Sequence, residues 1–150
     1  MPSRDLLLYT CLVEGLRTNG SDLLSATVTG NVVERCGGNA YVQKQPALHV
    51  GNGGDGQSVG TVANATVSGN TIKDALYDGV GFSTSAGIVF ADNVIVSPGL
   101  DGIVISPPFY PAPAGSASLT GNVVTGLAPG NAAFSNLSSG YTVTQSGNSW

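Results

Sequence analysis

Charge is what this chain has least of. Only 9% of its 150 residues are Asp, Glu, Lys or Arg, where an ordinary globular domain carries roughly a quarter. Five Lys and Arg against nine Asp and Glu give a net charge of −4, which argues against a partner held by phosphate electrostatics and leaves no nucleic acid among the expected ligands. The single histidine, His49, has no His or Cys at ligand spacing, so no metal centre is expected. No apolar run approaches ~20 residues, and no membrane-spanning segment is expected. The stretch Leu6–Val13 is apolar, but Asp5 precedes it, Glu14 follows it and no small-residue cleavage site comes after, so it does not read as a signal peptide. Two cysteines, Cys11 and Cys36, allow one disulfide or none, and two free buried thiols are the preferred reading. Walker, dinucleotide and Gly-x-Ser-x-Gly motifs are absent, and no cofactor is expected.

What the chain has in quantity is glycine, 22 residues, together with 8 prolines and 41% hydrophobic residues. Glycine and proline disfavour long helices, while the apolar content argues against disorder. One domain spanning 1–150 fits the length.

The organising feature is a repeat. Segments 26–33, 65–72, 88–95 and 117–124 align without gaps as Ala-Thr-Val-Thr-Gly-Asn-Val-Val and its variants, with Asn31, Asn70, Asn93 and Asn122 spaced 39, 23 and 29 residues apart. A degenerate copy over residues 1–25 puts Cys11 in the Asn position, and Gly147-Asn148 begins a last one. A second strand is expected nine positions after each Asn, at 40–42, 79–82, 102–105 and 131–134. The fold this implies is all-β: a single-stranded right-handed parallel β-helix, a solenoid of about five coils, with equivalent strands stacked ~4.8 Å apart. Asn suits the bend and can hydrogen-bond along the axis as a ladder. Three inward rows are expected: Val28, Val67, Phe90 and Leu119; Val33, Ile72, Ile95 and Val124; and Tyr41, Val80, Ile103 and Ala132.

The Thr/Ser-Gly-Asn-x-Val/Ile units, each followed about ten residues later by a Gly-Ile/Val strand, resemble right-handed β-helix proteins of the pectate-lyase-like superfold. Residues 47–53 and 65–72 are similar to late coils of the glycoside hydrolase family that contains mycodextranases and α-1,3-glucanases. The resemblance implies a carbohydrate-active protein, extracellular or at the cell surface. It would be the C-terminal part of a polysaccharide-degrading hydrolase or lyase. In that family an adjacent Asp-Asp pair on earlier coils carries catalysis, and this chain has no such pair. A non-catalytic surface or adhesion β-helix, or a tailspike-like one, is the alternative. An uncapped first coil would expose strand edges, so self-association through the coil ends is expected.

The longer repeats are read as carrying loop insertions at 43–64 and 106–116, both after the second strand. They would flank the bare coil as two ridges of a polysaccharide groove. Candidate substrate contacts are His49 and Asp55 on one ridge and Phe109 and Tyr110 on the other. The Gly-rich loop around Asp55 resembles one copy of a calcium-binding glycine repeat. Asp78 and Asp101 share an offset eight positions after their Asn, with Asn39 and Gly130 at that offset in the flanking coils. Carboxyls on adjacent coils would lie ~5 Å apart, the separation of a retaining glycosidase pair. Asp-Gly turn chemistry is the first reading of these aspartates. A bound cation or an acid–nucleophile pair are the alternatives.

Overall fold

The structure is a computed structural model that describes residues 7–8, 13–14, 25–37, 46–51, 62–83, 85–105 and 115–150. Its elements are all strands. The first are β1 (Leu7–Leu8), β2 (Val13–Glu14), β3 (Ala26–Thr29), β4 (Val32–Glu34) and β5 (Leu48–Gly51). Next come β6 (Val62–Ser68), β7 (Thr71–Lys73), β8 (Val80–Ser83), β9 (Ser85–Ala91) and β10 (Val94–Val96). The last are β11 (Ile103–Ile105), β12 (Gly115–Thr120), β13 (Val123–Thr125), β14 (Phe134–Asn136) and β15 (Tyr141–Ser146). They form three five-stranded sheets. Sheet A is β1-β4-β7-β10-β13, sheet B is β2-β5-β8-β11-β14 and sheet C is β3-β6-β9-β12-β15. Every pairing is parallel. The chain therefore passes through A, B and C in rotation, an order consistent with a parallel β-helix.

The bend between sheets C and A needs a left-handed residue. Gly30, Gly69, Gly121 and Gly147 supply it with φ of 62–68°, and Asp92 takes the same place at φ 54°. The asparagine that follows ties neighbouring passes together. Asn93 Oδ1 accepts the Asn70 backbone N–H at 3.0 Å and its Nδ2 at 2.9 Å. Asn93 in turn donates its N–H and Nδ2 to Asn122 Oδ1, both at 3.0 Å. The other amide hydrogen of Asn93 reaches the Val67 and Ala91 carbonyls, each at 2.9 Å. Asn31 opens the series and Asn148 closes it with the same pair of bonds. Asn70, Asn93 and Asn122 are buried to 1%, 0% and 0% exposure. Buried amides are stable there because their donors and acceptors are matched.

Two of the expected inward rows form as written. Register aligns Val28, Val67, Phe90 and Leu119, and Val33, Ile72, Ile95 and Val124. The third is corrected. In sheet B the row is Leu48, Val80, Ile103 and Phe134, so neither Tyr41 nor Ala132 stands in it. Residues 40–42 lie outside the described residues, and the strand that pairs with β8 is β5. Leu48 and Val50, two apart, both enter the core, and the Ala47 and Leu48 N–H groups bond the Asp78 and Gly79 carbonyls. At the other end β14 starts twelve positions after Asn122, where β11 starts ten after Asn93, so the strand is 134–136 rather than 131–134. Phe82 meets Phe90 edge to face across the interior, centroids 5.7 Å apart, joining sheets B and C.

The insertions are also placed differently. From Glu34 to Leu48 is fourteen positions where Lys73 to Val80 is seven, so part of the 39-residue unit's excess precedes its sheet B strand. The remainder, 52–61, follows β5. Segment 106–114 follows β11, and only Thr84 separates β8 from β9. Both long B-to-C connections thus leave the same edge, on passes flanking the bare one. Cys36 is disulfide-bonded and fully buried, which corrects the free-thiol reading. Its only available partner in the sequence is Cys11, which lies outside the described residues.

Replacing Asn93 with Ala removes the buried acceptor of the Asn70 N–H and Nδ2, while the Asn122 oxygen keeps only the backbone N–H of residue 93. We expect a loss of about 3 kcal/mol or more in urea unfolding, against about 1 kcal/mol for Asn31→Ala at the half-buried end of the ladder.

Candidate functional site

The corner before sheet B holds the two aspartates. Register from β8 and β11 places Asp78 and Asp101 at one offset, with Pro46 and Ala132 in the flanking passes instead of Asn39 and Gly130. Asp78 Oδ1 accepts the Asp101 backbone N–H at 3.0 Å. Asp101 Oδ1 accepts the Ala132 N–H at 2.7 Å, and its Oδ2 accepts the Ser135 hydroxyl at 2.6 Å. Each carboxylate therefore fastens the next pass, as the asparagines do at the other corner. Both are half-buried. Gly79 and Gly102 follow because a Cβ on Gly79 would stand 2.6 Å from the Gly102 carbonyl oxygen, and one on Gly102 2.6 Å from that of Ala133. These carboxylate bonds run between passes, and close backbone approach requires the glycines that follow.

His49 does not sit on an insertion loop. It lies in β5, on the outer row of sheet B opposite Gly81, and is 8% exposed. Pro46 covers that row: a Cβ on Gly81 would stand 2.5 Å from Pro46 Cγ. Val104, also on the outer row, is buried. Burial lowers the His49 pKa from 6.5 to about 4, since the cation would lose its hydration. Asp55, Phe109 and Tyr110 lie outside the described residues. Among the described residues no group of three or more His, Cys, Asp or Glu could hold a metal ion.

A concave feature of the described surface lies elsewhere. A shallow trough of about 270 Å³ runs across the outer face of sheet C over β6, β9, β12 and β15. Register lines up Asn64, Gly87, Ser116 and Thr142 on one side of it, and Thr66, Val89, Ser118 and Thr144 on the other. Gly87 leaves a gap in the first row, and no charged residue lines the trough. Four strands ~4.8 Å apart make it about 15 Å long. Hydroxyls that both donate and accept stand beside methyl groups on β6, β12 and β15, while β9 presents Gly87 and Val89. The sequence signal was present in the outward Thr and Ser that flank inward Val or Leu in three of the four repeats, at 27–29, 66–68 and 118–120. Carboxylates and insertions drew attention away from it.

No family model, no curated protein and no solved structure matches the chain.

The His49 shift has a measurable sign. The unfolded chain takes up a proton near 6.5 and the folded chain only near 4, so between those values the unfolded state binds more protons. Stability conferred on the neutral ring is full above pH 6.5 and falls as the pH drops to about 4, by about 3 kcal/mol in all. The difference in unfolding free energy between the wild type and His49→Gln should follow that curve across pH 3.5–7.5, and a pH-independent difference would contradict the burial.

Proposed function

We propose that the chain is a carbohydrate-active, right-handed parallel β-helix of five coils, of the pectate-lyase-like superfold, which holds a neutral polysaccharide along sheet C. The observation that carries the reading is the uncharged trough, in which the hydroxyls of Thr66, Ser116, Ser118, Thr142 and Thr144 stand beside apolar groups along one axis. A linear glycan offers a repeating series of hydroxyls and apolar ring faces, and such a ligand matches a surface whose donors and acceptors recur along one axis. The absence of a cation from the lining favours neutral glucans over polyanions such as pectate. The Cys36 disulfide supports an extracellular or cell-surface setting, where such bonds persist.

Binding without cleavage is the form of this reading that the aspartates favour, because Asp101 accepts the Ala132 N–H and the Ser135 hydroxyl. Hydrolase or lyase chemistry by Asp78 and Asp101 is the second reading. It is favoured by their stacking on adjacent passes.

Affinity electrophoresis in soluble α-glucan, β-glucan and polygalacturonate gels separates these outcomes. A neutral glucan should retard the protein and polygalacturonate should not. Ser116→Tyr, which fills the trough from an exposed position, should weaken retardation at least ~10-fold with the melting temperature unchanged. Asp78→Asn and Asp101→Asn should leave retardation intact. Loss of glucan cleavage in those two variants would instead establish the second reading. Retardation unaffected by Ser116→Tyr would move the binding surface off sheet C.

A further inference from the structure

The trough on sheet C has two spacings, and they differ. Along each strand its two outward lining residues flank one inward residue and stand ~6.6 Å apart, and that interval occurs once. Across the strands the lining returns every ~4.8 Å, on β6, β9, β12 and β15 in turn. A linear ligand that uses the whole trough therefore runs across the strands, along the axis of the stack. The four strands do not contribute alike. β6, β12 and β15 each place a polar side chain in both rows, whereas β9 has Gly87 in one row and Val89, 46% exposed, in the other. Among the described residues, the hydroxyls of Thr66, Ser116, Ser118 and Thr142 have no hydrogen-bond partner, and that of Thr144 reaches only the Ala117 carbonyl at 3.5 Å.

We infer, on the basis of the neutral-glycan reading of this trough, that it takes an extended β-1,4-linked chain laid across the strands, with one sugar ring on each of the four. In a β-1,4-linked pyranose chain both bonds to a ring are equatorial and leave from opposite sides. The chain is then a ribbon that advances per ring by about one strand spacing, ~5 Å. An α-1,4-linked chain coils and a β-1,3-linked chain curves, so neither keeps its rings in step with four strands in line. Successive rings of the ribbon are turned over, and each of its edges alternates in the hydroxyls it presents. Such a ligand needs polar groups on both sides of it, which β6, β12 and β15 supply with side chains that donate and accept. The faces of the rings are C–H surfaces. The ring over β9 rests its face on Val89, in the space that Gly87 leaves open, and its hydroxyls reach the polar side chains of β6 and β12 on either side. With no charged residue in the lining, the ribbon it accepts is an uncharged one.

Isothermal titration of the whole chain with cello-oligosaccharides of increasing length tests the placement. Affinity should rise about fivefold for each added ring, the worth of one net hydrogen bond, and level off at four rings. The double variant Thr142→Val, Thr144→Val keeps the shape of the last strand's lining and removes its hydroxyls. It should lower the four-ring affinity to that of three rings, leave three-ring binding within about twofold, and leave the melting temperature unchanged. Four-ring malto- and laminari-oligosaccharides should bind at least ~10-fold more weakly than cellotetraose. Equal binding of either one overturns the linkage and leaves the neutral-glycan reading standing. A plateau at any other length, or a double variant with the wild-type profile, overturns one ring per strand. Failure of every neutral oligosaccharide to bind removes the inference and the neutral-glycan reading together.

Discussion

Each buried asparagine amide in this protein must find a partner one pass above and one pass below, and that requirement sets the register of everything else. Asn93 accepts two hydrogen bonds from the Asn70 residue and gives two to the Asn122 oxygen. An amide can do this because one end accepts and the other donates. An aspartate has no donor and could not continue the series. The left-handed residue before each asparagine aims the side chain along the axis, so the bend and the ladder are one device. With these bonds in place, a one-residue slip of any pass would leave a buried amide unpaired and turn the inward Val, Ile and Phe outward.

The corner before sheet B shows what happens when the residue there can only accept. Asp78 and Asp101 fasten the pass above through its backbone N–H, but a carboxylate cannot pass the bond on through its own side chain. The column accordingly stops after two, between Pro46 and Ala132. The same corner demands the glycines that follow, where strand and carbonyl approach too closely for a Cβ.

The two outer faces on which a ligand could be sought differ in kind. Sheet B is covered where Pro46 lies over Gly81, and His49 and Val104 are buried on its outer row. Sheet C carries an open, uncharged trough lined by hydroxyls of β6, β12 and β15 and by Gly87 and Val89 of β9. A protein with so little charge has few electrostatic means of selecting a ligand, and hydrogen bonding repeated along an axis is the chemistry left to it.

The spacing of Gly-Asn units in the sequence was enough to determine the parallel stacking, the corner occupied by Asn31, Asn70, Asn93 and Asn122, and two of the three inward rows. Those features rest on local alternation and on a residue type whose role is the same at every copy. The position of Asp78 and Asp101 on adjacent passes was legible too, because the bare 23-residue unit between Asn70 and Asn93 leaves no freedom in the count. Where an insertion falls inside a longer unit was not legible, since both 40–42 and 48–51 alternate like strands. Only pairing with β8 decides that Leu48 and Val50 enter the core, and so moves His49 from a loop to a buried row. The free-thiol reading failed for a related reason: Cys11 and Cys36 are remote in sequence, and no local pattern marks them for pairing. The trough on sheet C likewise belongs to no single repeat. It exists only where four strands stand side by side, because a concave surface is a property of neighbours that the chain brings together by folding.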